Sequence, residues 1–288
     1  MASATTQYLN LDGVRLAYRQ WLGRPGAPAV LCLPHLTGHK GSFAHLAEAL
    51  APAYHVYALD LRGRGDSDQP AAGYGFAGHA QDILGVADAL GLARFAIIGH
   101  SFGATAGVYL ASVWPDRVSA LALLDGGADP RTETLRAMFP TVRRLAQVYP
   151  SLDVYLTAMR ALPFHQPWNP ALEQYFRDEV AIGPDGAVTS KSSALAIERD
   201  LEQHFGYSLC QHFPKLRCPV LFLRPAQGLR GDKGHVFSEA EAANITRHIP
   251  HCRQVDVPGV NHYTLLLHDA SPAVPFVRAF LYAVYGAG

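Results

Sequence analysis

Ser101 lies at the centre of Gly99-His100-Ser101-Phe102-Gly103, a Gly-x-Ser-x-Gly pattern set between an apolar run and an Ala-rich one in AIIGHSFGATAG, residues 96–107. Where a buried strand turns directly into a helix through this pattern, the serine occupies strained backbone. Its Oγ is then presented above the strand end, and the flanking glycines leave room for the turn. A serine hydroxyl is a poor nucleophile unless a base removes its proton. The best-placed histidine of the 14 is His262, in VPGVNHYTLLL, just beyond the last strand-like run. His79, His248 and His251 border helix-like segments, and His165, His204 and His212 fall in a long insertion.

An imidazole base needs a carboxylate to fix its tautomer and to stabilise its cation. Asp232, in LRPAQGLRGDKG, follows a strand-like run through a Gly-rich loop and is the preferred acid. Asp125, in LALLDGG, ends an earlier run and is the alternative; its plainer reading is a carboxylate that bonds loop N–H groups. Asp256 lies inside a strand-like run, points sideways and ranks third. Both leading candidates keep the chain order Ser, Asp, His.

A second cluster, LCLPHLTGH at 31–39, places His35 and His39 around a turn. On a helix H-x-x-x-H would pair two imidazoles on one ion, but Pro34 and Gly38 make this a loop, and no third ligand stands out. No metal and no cofactor are expected.

These groups need a scaffold, and the apolar pattern supplies one. Residues 8–21 alternate around Asp12-Gly13, as a hairpin does. The short, mostly apolar runs 28–33, 55–61, 94–100, 118–125, 219–225 and 252–259 suit strands covered on both faces. Between them, 42–51, 76–91, 103–114, 238–249 and 272–285 show helical spacing. The expected fold class is α/β, a mostly parallel central sheet of about eight strands flanked by helices. From 128 to 215 no convincing strand is visible, only helix-like pieces separated by prolines. The expected organisation is therefore a core domain of 1–127 and 216–288 with an inserted helical cap, 128–215.

Composition bounds the function. Of 288 residues 49% are hydrophobic and 17% charged, enough apolar content for a large core. Lys plus Arg equals Asp plus Glu at 24 each, with no basic block, which disfavours nucleic acid as a partner. The opening MASATTQYLNLDG has neither the basic nor the apolar stretch of a secretory signal, and no apolar run approaches the ~18 residues of a membrane span. The four cysteines are scattered without a CxxC. A cytoplasmic protein acting on a small molecule is expected, with a homodimer allowed.

With GHSFGA at 99–104, YALDLRGRGDSD at 57–68, PVLFLRPAQGLRGD at 219–232 and VDVPGVNHYTLL at 255–266, the chain resembles the α/β-hydrolase fold family over nearly its whole length. The resemblance is to the capped group of serine esterases and carbon–carbon bond hydrolases. It implies an acyl-enzyme on Ser101 rather than the elbow aspartate of dehalogenases and epoxide hydrolases. It also implies an oxyanion hole made by the backbone N–H of Phe102 and of Leu36. Relatives usually carry His-Gly before that second donor; here Pro34 and His35 occupy those places, so His35 stands where glycine allows unusual backbone.

The expected pocket residues are His35, His100, Tyr155, Phe164 and Trp168. Aromatic side chains at helical spacing are individually more often packing. Arg131, Arg136, Arg143, Arg144 and Arg160 read first as a solvated face and second as carboxylate binders. The expected function is hydrolysis of a small, fairly apolar carboxylic ester or lactone. The alternatives are a carbon–carbon hydrolase, a lyase or acyl transferase using the same triad, or a ligand receptor of the same fold.

Overall fold

The computed structural model describes residues 5–129, 142–204, 207–229 and 231–286 of the chain. In chain order its strands are β1 (Thr6–Leu11), β2 (Val14–Trp21), β3 (Ala29–Leu33), β4 (His55–Leu59), β5 (Phe95–His100), β6 (Val118–Leu124), β7 (Val148–Tyr149), β8 (Val180–Ile182), β9 (Val188–Ser190), β10 (Val220–Pro225) and β11 (Cys252–Val257). The α-helices among the described residues are α1 (Ala44–Leu50), α2 (Phe76–Ala89), α3 (Phe102–Val113), α4 (Leu152–Arg160), α5 (Pro170–Asp178), α6 (Ala194–His204), α7 (Glu239–His248) and α8 (Val274–Tyr285).

Eight strands form one sheet in the order β1-β2-β4-β3-β5-β6-β10-β11. β1 and β2 pair antiparallel through the Asp12-Gly13 turn, whose φ values of 50° and 83° suit a tight hairpin. From β4 to β11 the pairing is parallel. Burial follows the pleat. On β3, Leu31 and Leu33 join the core beneath α2, α3 and α7, while Val30 and Cys32 join the core beneath α1 and α8. Both faces are covered, which is why these strands read as continuous apolar runs.

Strand order reverses between β3 and β5. Crossovers leave these two neighbours in opposite directions, so their C-terminal ends diverge and open a crevice. The loop of His35 follows β3 and Ser101 follows β5, so both sit at this reversal.

The segment between β6 and β10 corrects one expectation. It is not wholly helical: β7, β9 and β8 form a small antiparallel sheet. Strands of two or three residues are too short to show a two-residue period, and the hairpin joining β8 to β9 turns at Pro184-Asp185-Gly186, with Gly186 at φ 81°. Nor is this insertion one packed unit. Tyr155, Leu156, Met159, Leu172, Tyr175, Phe176, Val180 and Val188 make their own cluster, whereas Ile197 and Leu201 of α6, with Leu209 and Phe213, belong to the main core.

The start of α3 lies hard against the end of β3. A Cβ on Gly103 would stand 2.1 Å from the Leu33 carbonyl oxygen, a backbone atom that cannot step aside without moving the strand. Gly103→Ala is therefore expected to lower the free energy of unfolding by about 1–3 kcal/mol, the usual cost of overpacking. Urea denaturation of the two proteins measures this directly, and an unchanged midpoint would contradict the packing described.

Candidate active site

Ser101 joins β5 to α3 with φ 53° and ψ −115°, outside the conformations an L residue ordinarily takes. The turn is held because its neighbours leave no alternative. Ser101 N–H donates to Leu124 O of β6 at 2.9 Å, and a Cβ on Gly99 would meet the backbone of Ala104 at 2.4 Å. The serine is half-buried, at the N-terminus of α3, where backbone N–H groups of the first turn point out of the helix.

Asp125 follows β6 in the same way. Its φ is 46°, and its N–H donates to Leu223 O of β10 at 2.9 Å. The next residue is Gly126, where a Cβ would lie 2.3 Å from Ser101 O. The chain leaving β6 thus runs against the elbow itself. The Asp125 carboxylate, buried within this turn, accepts a hydrogen bond from His262 Nδ1 at 2.7 Å. A carboxylate only accepts, so Nδ1 carries the proton and Nε2 is left as the basic nitrogen.

The preferred acid is therefore corrected. Asp232 is exposed in the loop after β10, and the carboxylate bonded to His262 is Asp125. The reason is sheet order: β6 is the immediate neighbour of β5, whereas β10 lies one strand further away. A usable signal was present in Asp125-Gly126-Gly127, where two glycines permit the same close turn that glycines permit around Ser101. Asp256, the third candidate, faces Arg224, with Oδ2 2.7 Å from Nη2.

His262 is fixed from the backbone as well. Asn261 Oδ1 accepts the N–H groups of Tyr263 and Thr264 at 2.9 and 3.0 Å, closing a turn, and Asn261 Nδ2 donates to Phe164 O at 3.1 Å. His100 Nε2 donates to His262 O at 2.9 Å, so the residue before the serine grips the backbone of the histidine. Sequence reasoning missed Asn261; its place directly before the histidine was the available signal.

His35, His39 and the aromatic groups complete the surroundings. His39 is no ligand-like group: Nδ1 accepts Gly41 N–H at 3.1 Å, and Nε2 donates to Tyr175 O at 3.0 Å. His35 is absent from the non-glycine residues of positive φ, so its position demands no glycine-only backbone. Its ring folds over Gly38, stands edge-on to His100 at 5.3 Å and to Tyr263 at 5.7 Å, and its Nε2 lies 3.1 Å from Tyr175 Oη.

Phe164 stacks on Tyr263 at 5.2 Å, beside His262. Tyr155 and Trp168 are held within the insertion instead. Tyr155 is 1% exposed and donates to Glu179, and Trp168 stacks on Phe176. Arg144 faces Glu179 at 3.5 Å, Arg160 faces Glu173 at 3.1 Å, and Arg143 is exposed. Arg131 and Arg136 lie outside the described residues.

The buried imidazoles His35, His100 and His165 are held in the neutral form. Burial, then the facing His262 and His35 rings, hold His100 well below the ordinary histidine value. Burial, followed by His262, His39, His165 and Arg144, does the same to His35, and burial holds His165 down at about 4. Below pH ~6.5 the unfolded chain takes up protons at these positions that the folded chain refuses, so stability falls as pH falls. Each such ring is expected to remove up to about 1.4 kcal/mol per pH unit until its folded value is reached. Urea unfolding at pH 7 and pH 5 checks this. His165→Gln is expected to flatten the slope, and pH-independent stability would contradict it.

At the level of fold the chain is similar to known proteins. The sequence profile of the alpha/beta hydrolase fold family matches residues 28–269. A 2-(acetamidomethylene)succinate hydrolase of Mesorhizobium japonicum is 28% identical over 251 residues, covering 86% of this chain and 84% of that one. The crystal structure of E-2-(acetamidomethylene)succinate hydrolase superposes with a TM-score of 0.84 at 23% identity, covering 99% of this chain and 100% of the other. An enol-lactonase from Burkholderia xenovorans LB400 superposes at 0.75, with 23% identity and 96% and 99% coverage. Among the described residues no helix is long and apolar enough to cross a membrane.

Proposed function

We propose that this chain, which belongs to the alpha/beta hydrolase fold family, is a serine hydrolase that cleaves a small, fairly apolar carboxylic ester or lactone through an acyl-enzyme on Ser101. The observation that carries the reading is the 2.7 Å bond from His262 Nδ1 to Asp125, formed at the strand end that packs against the serine elbow.

In this mechanism His262 Nε2 takes the Ser101 proton as Oγ attacks the substrate carbonyl. The carbonyl π pair moves onto oxygen, and the backbone N–H groups of Leu36 and Phe102 receive the oxyanion. Asp125 stabilises the imidazolium without itself taking a proton. The tetrahedral adduct collapses, the C–O bond to the alcohol breaks, and His262 returns the proton to that oxygen. Water then attacks the acyl-serine under the same base and releases the acid.

The surroundings favour a substrate of low charge. Tyr263 and Phe164 supply aromatic surface, His35 and His100 are neutral, and Arg144, a half-buried cation of the insertion, already faces Glu179. A second reading takes its support from the relative named as a 2-(acetamidomethylene)succinate hydrolase: a substrate bearing an acetamido group, cleaved by the same three residues.

A fluorophosphonate probe is expected to label the protein, and Ser101→Ala to abolish both labelling and hydrolysis of p-nitrophenyl acetate and butyrate. Inert esters with cleaved acetamido substrates would favour the second reading, and inert esters with cleaved vinylogous diketones would favour carbon–carbon hydrolysis. Asp125→Asn is expected to lower kcat by about 10⁴-fold through the wrong histidine tautomer. Asp232→Asn should stay within about twofold, as an exposed loop substitution does. A damaging Asp232→Asn beside a harmless Asp125→Asn would overturn the assignment of the acid.

A further inference from the structure

The loop after β4 contains a second arginine to which the chemistry above gives no task. Arg64 is completely buried, and its guanidinium makes directed contacts on three sides. Nε donates to Leu36 O at 3.0 Å, Nη1 donates to Arg62 O at 2.8 Å, and Nη2 donates to Asp200 Oδ2. The guanidinium carbon lies 5.5 Å from the centre of the Phe102 ring. Leu36 and Phe102 are the two residues whose N–H groups form the oxyanion hole in the reading above, and Arg64 touches both.

We propose that Arg64 is a positioning residue for the oxyanion hole, and that Asp200 of the insertion holds it in place. The inference rests on the serine-hydrolase reading and extends it to the group that shapes the hole. Three successive carbonyls of the β3 loop are tied down. His35 O accepts Gly38 N–H at 2.8 Å, Leu36 O accepts Arg64, and Thr37 O accepts Ser192 Oγ at 3.1 Å. In a trans peptide N–H and C=O point in opposite directions. Anchoring His35 O therefore aims Leu36 N–H, and anchoring Leu36 O fixes the next plane.

Phe102 is held from the side. Its ring meets the Arg64 guanidinium and, at right angles with ring centres 5.3 Å apart, the His79 imidazole. Both groups end on Asp200, which is fully buried and also accepts Gly75 N–H at 2.6 Å. Although burial opposes ionisation, Arg64, then His79 and the Gly75 N–H, hold the Asp200 carboxyl well below the usual carboxylate range. Arg64 and Asp200 thus form an ion pair in which each guanidinium nitrogen and both carboxylate oxygens are engaged. A planar fork with fixed N–H directions suits this geometry, and an ammonium on a flexible stem does not.

A merely structural ion pair would change stability alone. A positioning role predicts a split between kcat and KM. In Arg64→Lys, kcat for p-nitrophenyl butyrate is expected to fall about 10- to 100-fold, a part of what losing an oxyanion donor costs. KM should stay within about threefold, and inhibition by a trifluoromethyl ketone, which forms a tetrahedral adduct, should weaken in proportion to kcat. Asp200→Asn keeps an acceptor for Gly75 N–H and is expected to move the same quantities in the same direction by less. The double variant Arg64→Met/Asp200→Asn leaves no buried charge unpaired and serves if Arg64→Lys does not fold.

Folded variants with wild-type kcat and ketone affinity, or with changes in KM alone, would overturn the proposal. Turnover surviving in Ser101→Ala would instead overturn the serine mechanism, and the oxyanion role of Arg64 with it. Unchanged Arg64 variants of an enzyme that needs Ser101 count against Arg64 alone.

Discussion

The approach of three backbone segments to within contact of one another, at the ends of β3, β5 and β6, is the constraint on which the rest of this molecule depends. Gly103 lets α3 start against Leu33, Gly99 lets β5 turn under Ala104, and Gly126 lets the chain leaving β6 pass the Ser101 carbonyl. No side chain fits at any of these points. The elbow's positive φ at Ser101, and the matching one at Asp125, are held by this crowding and by the N–H groups that Ser101 and Asp125 donate to neighbouring strands. Strain of this kind persists only where the surroundings over-determine it, and here two adjacent strand ends do so together.

Around that point the charges are sorted. Asp125 lies against His262, and the other imidazoles nearby, His35 and His100, are kept neutral by burial. Ionic groups beside the β3 and β4 loops are bound into pairs that tie those loops to one another and to the insertion. Lys40 reaches Asp60 and Asp66, each at 2.6 Å, Lys191 reaches Asp66 at 2.9 Å, and Arg64 meets Asp200. Removing one partner of the buried Lys40–Asp60 or Arg64–Asp200 pair costs more than the pair contributes, so these two contacts act as fixed joints.

The insertion is thus more than a cover. Tyr175 reaches His35 and His39, Ser192 reaches Thr37, Asp200 reaches Arg64, and Phe164 O takes a hydrogen bond from Asn261. Each of these contacts ends on a loop that carries a site residue or its neighbour. The shape of the candidate site is set in part by residues more than a hundred positions away in the chain.

Local patterns determined much of this. Buried strands announce themselves as continuous apolar runs, the Asp12-Gly13 turn as a hairpin, and Ser101 as an elbow, because each depends on neighbours within a few residues. His262 followed from its place after the last strand. Three things were decided only in three dimensions. Asp125 rather than Asp232 bonds His262 because β6, not β10, lies beside β5, and strand order is a property of crossovers rather than of any local pattern. The insertion's short strands were invisible because a period of two needs more than three residues to show itself. Arg64 stayed unassigned because two of its three hydrogen-bond partners lie 28 residues before it and 136 after it in sequence. Residue type and spacing reveal what a segment does to itself; which distant segment it must touch is left to the burial of polar groups that have to find partners.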